Sequence, residues 1–141
     1  MKLTEHFTYE ELTRSATALR YGIDNNPNDT VKAELNELAQ MLETIRKEYN
    51  KPIIVTSGYR CKRLNDIVGG SRTSQHVKGQ AADIRSLSDT TTDNKELFDT
   101  IVKMINNNTI KVGQLIDEYN YNWVHVSTPK LKINNQIKHI R

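Results

Sequence analysis

The 141-residue chain has a single cysteine, Cys61, and no long apolar run. One cysteine excludes an internal disulfide and any metal site built from several cysteines. No segment approaches the roughly 20 apolar residues that a membrane-spanning helix needs. The opening residues, MKLTEHFTYEEL, also lack the apolar stretch of a signal peptide. We therefore expect a protein that is made as a soluble cytoplasmic chain without a membrane span.

The chain also has little excess of one charge over the other. The net charge is +3 and the isoelectric point about 9.0, with 17 acidic residues spread among 20 lysines and arginines. There is no dense basic run with interleaved aromatic residues, so no nucleic-acid partner is expected. A mildly positive surface also suits an anionic polymer such as a bacterial cell wall. The mean hydropathy of −0.67 is polar but does not indicate disorder.

Apolar spacing in the first half of the chain predicts two helices and a strand. Thr8 to Glu11 has the form of a capping box, which begins a short helix. From Val31 to Tyr49 apolar residues recur at steps of four and three, the period of a long amphipathic helix. The β-branched run from Ile53 to Val55 follows as a buried strand.

The second half carries most of the strands. Residues 80–85 are predicted as a strand, and residues 114–119 and 123–127 as the two strands of a hairpin. Asp93 is predicted to cap the helix that lies between them. Helices first and most strands late are typical of the α+β class.

Neither a repeat nor a long linker divides the chain. We therefore expect one domain over residues 1–141, with a core at about 3–128 and a C-terminal tail at 129–141 to which no structure is assigned. A monomer is favoured.

Two short segments place histidines and an aspartate in a suggestive pattern. SQHVKGQAAD, residues 74–83, contains His76 and Asp83 with a glycine between them, and NWVHVS, residues 122–127, contains His125. Zinc in a catalytic site usually takes three protein ligands and keeps a fourth position open. These three residues supply such a set if a turn at the glycine brings the first histidine back to the strand.

Each of these residues also has an ordinary structural interpretation. A histidine in a strand is more often a hydrogen-bonded structural residue than a ligand, and Asp83 could be a salt-bridge partner. Spacing alone therefore leaves a metal site and a structural role both open. His6 and His139 receive no role, and Cys61 is interpreted as a partly buried bystander.

Three linked motifs resemble the zinc D-alanyl-D-alanine carboxypeptidase family. They are SGYR at residues 57–60, SQHVKGQAAD at 74–83, and WVHVS at 123–127. The family signature is Ser-x-His-x-x-Gly-x-Ala-x-Asp followed downstream by Trp-x-His, and every fixed position is present. The opening HFTYEELTRSATA and the segment GQLIDE also resemble the small single-domain subgroup. The resemblance covers most of residues 3–128.

The resemblance implies a fold, a cofactor and a substrate. The fold is the small α+β fold shared with the hedgehog signalling domain, an antiparallel sheet flanked by helices. The cofactor is one zinc ion, held by His76, Asp83 and His125. The substrate is the peptidoglycan stem peptide. Some family members remove a terminal D-alanine as carboxypeptidases, and others, including bacteriophage endolysins, act as endopeptidases between L-alanine and D-glutamate.

Two further residues are candidates for substrate binding. Arg60 matches the family arginine that holds the substrate and steadies the developing oxyanion. Its own chemistry agrees, because an arginine just past a strand end can aim a fixed fork of donors at an oxyanion. A surface salt bridge is the alternative. Ser74 either donates a hydrogen bond in the cleft or shapes the loop, and the loop role is favoured.

The catalytic base is the one departure from the family. Many members carry Asp or Glu three residues before the last zinc histidine, where this chain has Asn122, which cannot accept a proton. A two-residue hairpin loop would place Glu118 on the face of His125, whereas a three-residue loop would present Asp117. The subgroup resemblance favours Glu118 as general base.

Other functions stay open at this stage. The main alternative is a catalytically silent, zinc-stabilised cell-wall-binding module, which Asn122 supports. The motifs do not determine which bond is cut, because the two activities differ in cleft shape. The lack of a signal peptide and of a separate wall-binding domain suits a phage or prophage enzyme that acts on the wall after release.

Overall fold

The computed structural model describes residues 1–141 as a set of helices around one sheet. The helices are α1 (Tyr9–Thr13), α2 (Ala16–Arg20), α3 (Asp29–Tyr49), α4 (Lys62–Ile67) and α5 (Thr91–Asn106), with a 3-10 turn at Gln75–Lys78. The strands are β1 (Ile53–Ser57), β2 (Ala81–Ser86), β3 (Gln114–Glu118), β4 (Trp123–Ser127) and β5 (Gln136–Ile140). The predicted α+β class is confirmed. No helix combines the length and the apolar character that crossing a bilayer requires.

The five strands form one sheet in the order β1-β2-β4-β3-β5. The first four pair antiparallel, as expected, but β5 pairs parallel with β3, so the sheet is mixed. Strand β5 comes from the tail to which no structure was assigned. All but the first of its residues are exposed, so β5 lacks the apolar alternation that identifies a half-buried strand.

The helices begin where capping side chains satisfy free backbone N–H groups. Thr8 and Glu11 form the predicted capping box at α1. The prediction that Asp93 caps α5 is wrong: Thr90 Oγ1 accepts a hydrogen bond from the Asp93 backbone N–H at 3.1 Å, and Asp93 lies in the first turn. Both residue types favour the cap position, and a threonine three residues upstream occupies it.

One hydrophobic core joins α3 and α5 to the sheet. On α3 the residues at steps of three and four, Leu35, Leu38, Leu42 and Ile45, are fully buried, as predicted from their spacing. The sheet contributes alternate residues from β1, β2 and β4, among them Val124 and Val126, and Leu115 from β3. The residues between these, including His125, face away from the core, and the opposite side of the sheet is thus free to carry polar side chains.

Candidate metal centre and active site

Two of the predicted ligands lie side by side on the sheet. Asp83 on β2 and His125 on β4 are directly opposite each other in an antiparallel pair. Directly opposed residues have their Cβ atoms about 5 Å apart on one face. Asp83 Oδ1 lies 3.1 Å from His125 Nδ1. The register of two neighbouring strands therefore brings this pair together without any loop.

The third residue, His76, reaches the pair from the 3-10 turn. Gly79 ends that turn with a φ of 71°, in the left-handed region. A Cβ there would lie 2.8 Å from Val31 Cγ1, so the close approach to α3 also requires glycine. The reversal places His76 Nε2 at 3.4 Å from Asp83 Oδ1.

A backbone carbonyl fixes the orientation of the His76 ring. His76 Nδ1 lies 2.8 Å from the Gly58 carbonyl oxygen, so it donates there and Nε2 faces Asp83. A Cβ at Gly58 would lie 2.3 Å from Leu12 O, so only glycine allows the backbone at residue 58 to lie so close to α1. A histidine that donates its second ring N–H to a carbonyl is typical of metal ligands.

These three side chains have the donor set of a zinc site. One atom of each lies within 4.8 Å of the others, and the two imidazole rings have centroids 5.2 Å apart. Two imidazole nitrogens and a carboxylate oxygen are ligands that zinc accepts, and three such ligands leave one position for chemistry. Burial alone would raise the pKa of the Asp83 carboxyl, but hydrogen bonds from His125 and His76 outweigh it and hold that pKa below its usual range. Asp83 is therefore an anion, as a metal ligand must be.

The donor set lies in a cleft of about 700 Å³. The cleft is lined mostly by polar side chains, and these include all the predicted site residues: Arg60, Ser74, His76, Asp83, Glu118 and His125. One wall is the face of β3 and β4, and the other is the segment from α4 to the 3-10 turn.

The hairpin register places Glu118 in this cleft. Glu118 is opposite Trp123 and Ile116 is opposite His125, which is the register of the first hairpin alternative. Glu118 thus lies on the face of His125, one diagonal step away. The loop is nevertheless longer than the predicted two residues, because the ladder ends at Glu118 and residues 119–122 make the turn. Burial raises the pKa of Glu118 and the negative charges of Asp83 and Asp117 add to this, while His125 opposes it.

Asp117 faces the other way and is fully buried. It accepts hydrogen bonds from the Tyr121 backbone N–H at 2.5 Å, from His139 Nδ1 at 3.0 Å and from Arg141. Through these contacts the Asp117 carboxylate is hydrogen-bonded to the hairpin loop and to the C-terminal segment that contains β5. His139, which received no role from the sequence, therefore ties the tail to the hairpin.

Arg60 and Ser74 meet at the cleft wall. The Arg60 backbone N–H donates to the His76 carbonyl at 3.1 Å, and its Nη2 donates to Ser74 Oγ at 3.4 Å. Ser74 Oγ also accepts from the His76 backbone N–H at 3.2 Å, so it caps the 3-10 turn as the loop role requires. Burial lowers the pKa of the Arg60 guanidinium, which nearby Asp83 opposes. Its Nε has no hydrogen-bond partner in the protein.

Asn25 braces the loop that carries Arg60, and the sequence did not indicate this. Its Nδ2 donates to the carbonyls of Thr13 at 2.8 Å and Tyr59 at 3.0 Å, and its Oδ1 accepts from the Cys61 backbone N–H at 2.7 Å. The residues on both sides of Arg60 are thus bonded to one side chain. Asn25 belongs to the connector GIDNNPN, where asparagine is ordinary turn chemistry, so no local signal distinguishes it.

A second group of possible metal ligands, Glu5, His6 and Glu43, has another evident role. Both carboxylate oxygens of buried Glu43 already accept hydrogen bonds from His6, from its backbone N–H at 2.7 Å and its Nδ1 at 2.6 Å. This pair anchors the N-terminal segment to α3.

A family of known proteins matches most of the chain. The model of the family described as Peptidase M15 matches residues 5–127, which include every residue placed in the cleft above. No curated protein matches the chain.

Proposed function

The chain belongs to the peptidase M15 family, and from this premise we propose that it is a zinc-dependent metallopeptidase that hydrolyses peptide bonds in peptidoglycan stem peptides. The observation that supports this best is the convergence of His76, Asp83 and His125 in a cleft that also contains Glu118 and Arg60. A structural histidine pair would need neither a second carboxylate nor an arginine on the same cleft.

His76, Asp83 and His125 would hold one zinc ion. Their donor atoms already face one another, and the His76 ring is fixed by its bond to Gly58. Zinc, when bound, polarises the scissile carbonyl as a Lewis acid and lowers the pKa of a water molecule towards about 7. The sheet register and the 3-10 turn hold the ligands in place before any metal arrives.

Glu118 is the general base in this proposal. It takes a proton from the attacking water and delivers it to the leaving amine. Its raised pKa suits the first half of that task, because a more basic carboxylate accepts a proton more readily. Asp117, buried under β5, is unsuited to the role.

Arg60 binds the substrate and stabilises the negative charge that develops on the scissile carbonyl oxygen. Its guanidinium lines the cleft, and its Nε has no partner within the protein. A single oxyanion donor typically contributes about 3 to 4 kcal/mol, a hundred- to thousandfold in rate. Ser74 holds one Arg60 nitrogen and shapes the turn that carries His76.

The proposal covers two cleavage specificities on one domain formed by residues 1–141. One is D-Ala-D-Ala carboxypeptidase activity and the other is an endolysin-like cut between L-Ala and D-Glu. Mass spectrometry of a muropeptide digest made with zinc-loaded protein tests both, because the product masses identify the bond. Absence of any released amine across a panel of stem peptides would contradict the proposal.

A catalytically silent wall-binding module is the second candidate, and Asn122 is what favours it. This residue occupies the position of the usual family base, and it lies exposed in the hairpin loop. Retained binding of wall fragments by a zinc-loaded protein without hydrolysis would favour the module. Hydrolysis that depends on Glu118 would exclude it.

A further inference from the structure

The side chain of Gln75 is buried beside the metal ligands and makes no hydrogen bond. It is only 8% exposed, and neither Oε1 nor Nε2 has a partner in the protein. It lines the same cleft as His76 and Arg60. A buried carboxamide with its donors and its acceptor all unused is uncommon in folded proteins and calls for an explanation.

Backbone hydrogen bonds hold Gln75 in place, so its carboxamide cannot find partners by a shift of the chain. Its carbonyl accepts from the Gln80 backbone N–H at 3.0 Å, and the turn that it begins is capped by Ser74 and ended by Gly79. The next residue, His76, is bonded to Gly58. The unpaired amide is therefore held beside the reaction centre by the elements that position the metal ligand.

The neighbouring Arg60 indicates which ligand fits. Its buried Nε is a second unpaired polar atom of the same cleft, and its guanidinium is a cation. A cation and an amide donor in one cleft match a carboxyl group, while the amide oxygen can accept an N–H. A substrate residue with a free α-carboxyl group next to the cleaved amide bond has this chemistry.

We infer that Gln75, together with Arg60, binds the α-carboxyl group of the substrate residue whose nitrogen becomes the leaving amine. The inference rests on the proposed peptidase function and adds a substrate class to it. Both proposed cleavages leave such a group on the amine side of the bond. A terminal D-alanine carries a free α-carboxyl group, and so does a D-glutamate whose chain continues through its side chain. A glutamine can donate to a carboxylate or, with its amide rotated, accept from a carboxamide.

The test uses two synthetic stem peptides that differ in one group. The α-carboxyl group on the amine side of the cleaved bond is a carboxylate in one peptide and a carboxamide in the other. With zinc-loaded protein at pH 8, Gln75→Glu is expected to lower kcat/KM for the carboxylate relative to the carboxamide by at least about tenfold, since hydrogen bonds to charged groups have this magnitude. The carboxylate introduced at position 75 repels the carboxylate of the first peptide, whereas it accepts a hydrogen bond from the carboxamide of the second.

A second variant separates binding from structure. Gln75→Met keeps the length of the side chain and removes the unpaired amide, so it is expected to raise the thermal unfolding midpoint by about 2 to 5 °C. The same variant is expected to raise KM for both peptides by about tenfold, with its zinc content unchanged. Gln40, exposed on α3, provides matched controls: Gln40→Glu and Gln40→Met should leave both measurements at the wild-type values.

The outcomes distinguish the two proposals. If the wild-type protein cleaves neither peptide, the peptidase function fails and this inference fails with it. If the wild-type protein cleaves but the carboxylate-to-carboxamide ratio is unchanged in Gln75→Glu, the inference alone is wrong. A Gln75→Met protein that unfolds at a lower temperature, with unchanged KM, would show that Gln75 is structural.

Discussion

Asp83 and His125 face each other across two antiparallel strands, with Asp83 Oδ1 3.1 Å from His125 Nδ1. Because hydrogen-bonded strands set this distance, two of the three proposed ligands are positioned by the sheet itself. Only His76 depends on a turn, and that turn is itself bonded to the Arg60 loop through the Arg60 N–H.

Replacing Asp83 by Asn is expected to abolish zinc binding. The amide cannot supply the charge of the carboxylate, and it leaves two neutral imidazoles to hold a dication. Bound zinc, measured by mass spectrometry of the native protein, should fall from one ion per chain to almost none, and hydrolysis should be lost. Asp99→Asn on the exposed face of α5 is the matched control and should retain the metal.

Glu118→Gln is expected to lower kcat by about a hundred- to ten-thousandfold, the range associated with a lost general base. Zinc content should be unchanged, because Glu118 is not among the grouped ligands. Steady-state kinetics on the cleaved muropeptide measure this effect. Unaltered turnover in Glu118→Gln would show that another group takes the proton.

Asp117→Asn, the neighbouring change, is expected to affect folding more than catalysis. Asp117 is fully buried and accepts from Tyr121, His139 and Arg141. Weakening these bonds should cost about 1 to 3 kcal/mol of unfolding free energy at pH 7, measured by urea denaturation. The folded fraction of this variant should keep a kcat close to that of the wild type. A kcat as low as that of Glu118→Gln would move the base assignment to Asp117.

The contribution of Asp117 to stability is also expected to depend on pH. Burial by itself raises its pKa, but the bonds from His139, Tyr121 and Arg141 hold the pKa of the folded state below the ordinary 3.8. A depressed folded pKa gives stability that is present above the unfolded value and is lost as pH falls through the folded one. In metal-free protein the difference between wild type and Asp117→Asn should therefore shrink below about pH 3.8. A constant difference down to pH 2 would contradict this.

Asn25→Ala is expected to reduce kcat/KM through Arg60 while leaving bound zinc unchanged. The variant loses the two hydrogen bonds that flank Arg60, at Tyr59 and Cys61, and a third to Thr13 at the end of α1. Asn25→Asp keeps the acceptor for the Cys61 N–H but turns a charged oxygen towards the carbonyl oxygens of Thr13 and Tyr59, so its activity should be no higher than that of the alanine variant. Asn36→Ala on the exposed face of α3 is the control. If Arg60→Ala abolishes any further effect of Asn25→Ala, the two residues act together.

The parts of the site that could be predicted are those carried by local motifs. His76, Asp83 and His125 lie in short segments whose strand and turn character is evident from the sequence. Spacing left two hairpin registers open, one with Glu118 and one with Asp117 on the face of His125, and the observed pairing places Glu118 there. Its role as general base stays a prediction. The predicted loop lengths could not decide the register, because the observed turn is longer than either: three successive residues, Tyr119 to Tyr121, adopt positive φ angles in it.

Asn25 and Gln75 could not be found in the same way. Asn25 acts through contacts 12 to 36 residues away in the chain, which no local pattern encodes. Gln75 is recognisable only because the folded protein leaves its amide unpaired. Strand β5 also had no signal, since its pairing with β3 uses backbone groups beneath largely exposed side chains.

The parallel pairing of β5 with β3 has a practical consequence for shortened versions of the protein. Ending the chain near residue 128, where the family match stops, would remove β5 and uncover the outer N–H and C=O groups of β3. An uncovered apolar strand edge is a template for association with other chains. A shortened chain cut at the family boundary is therefore expected to aggregate, and a fusion partner is better joined to the N-terminus.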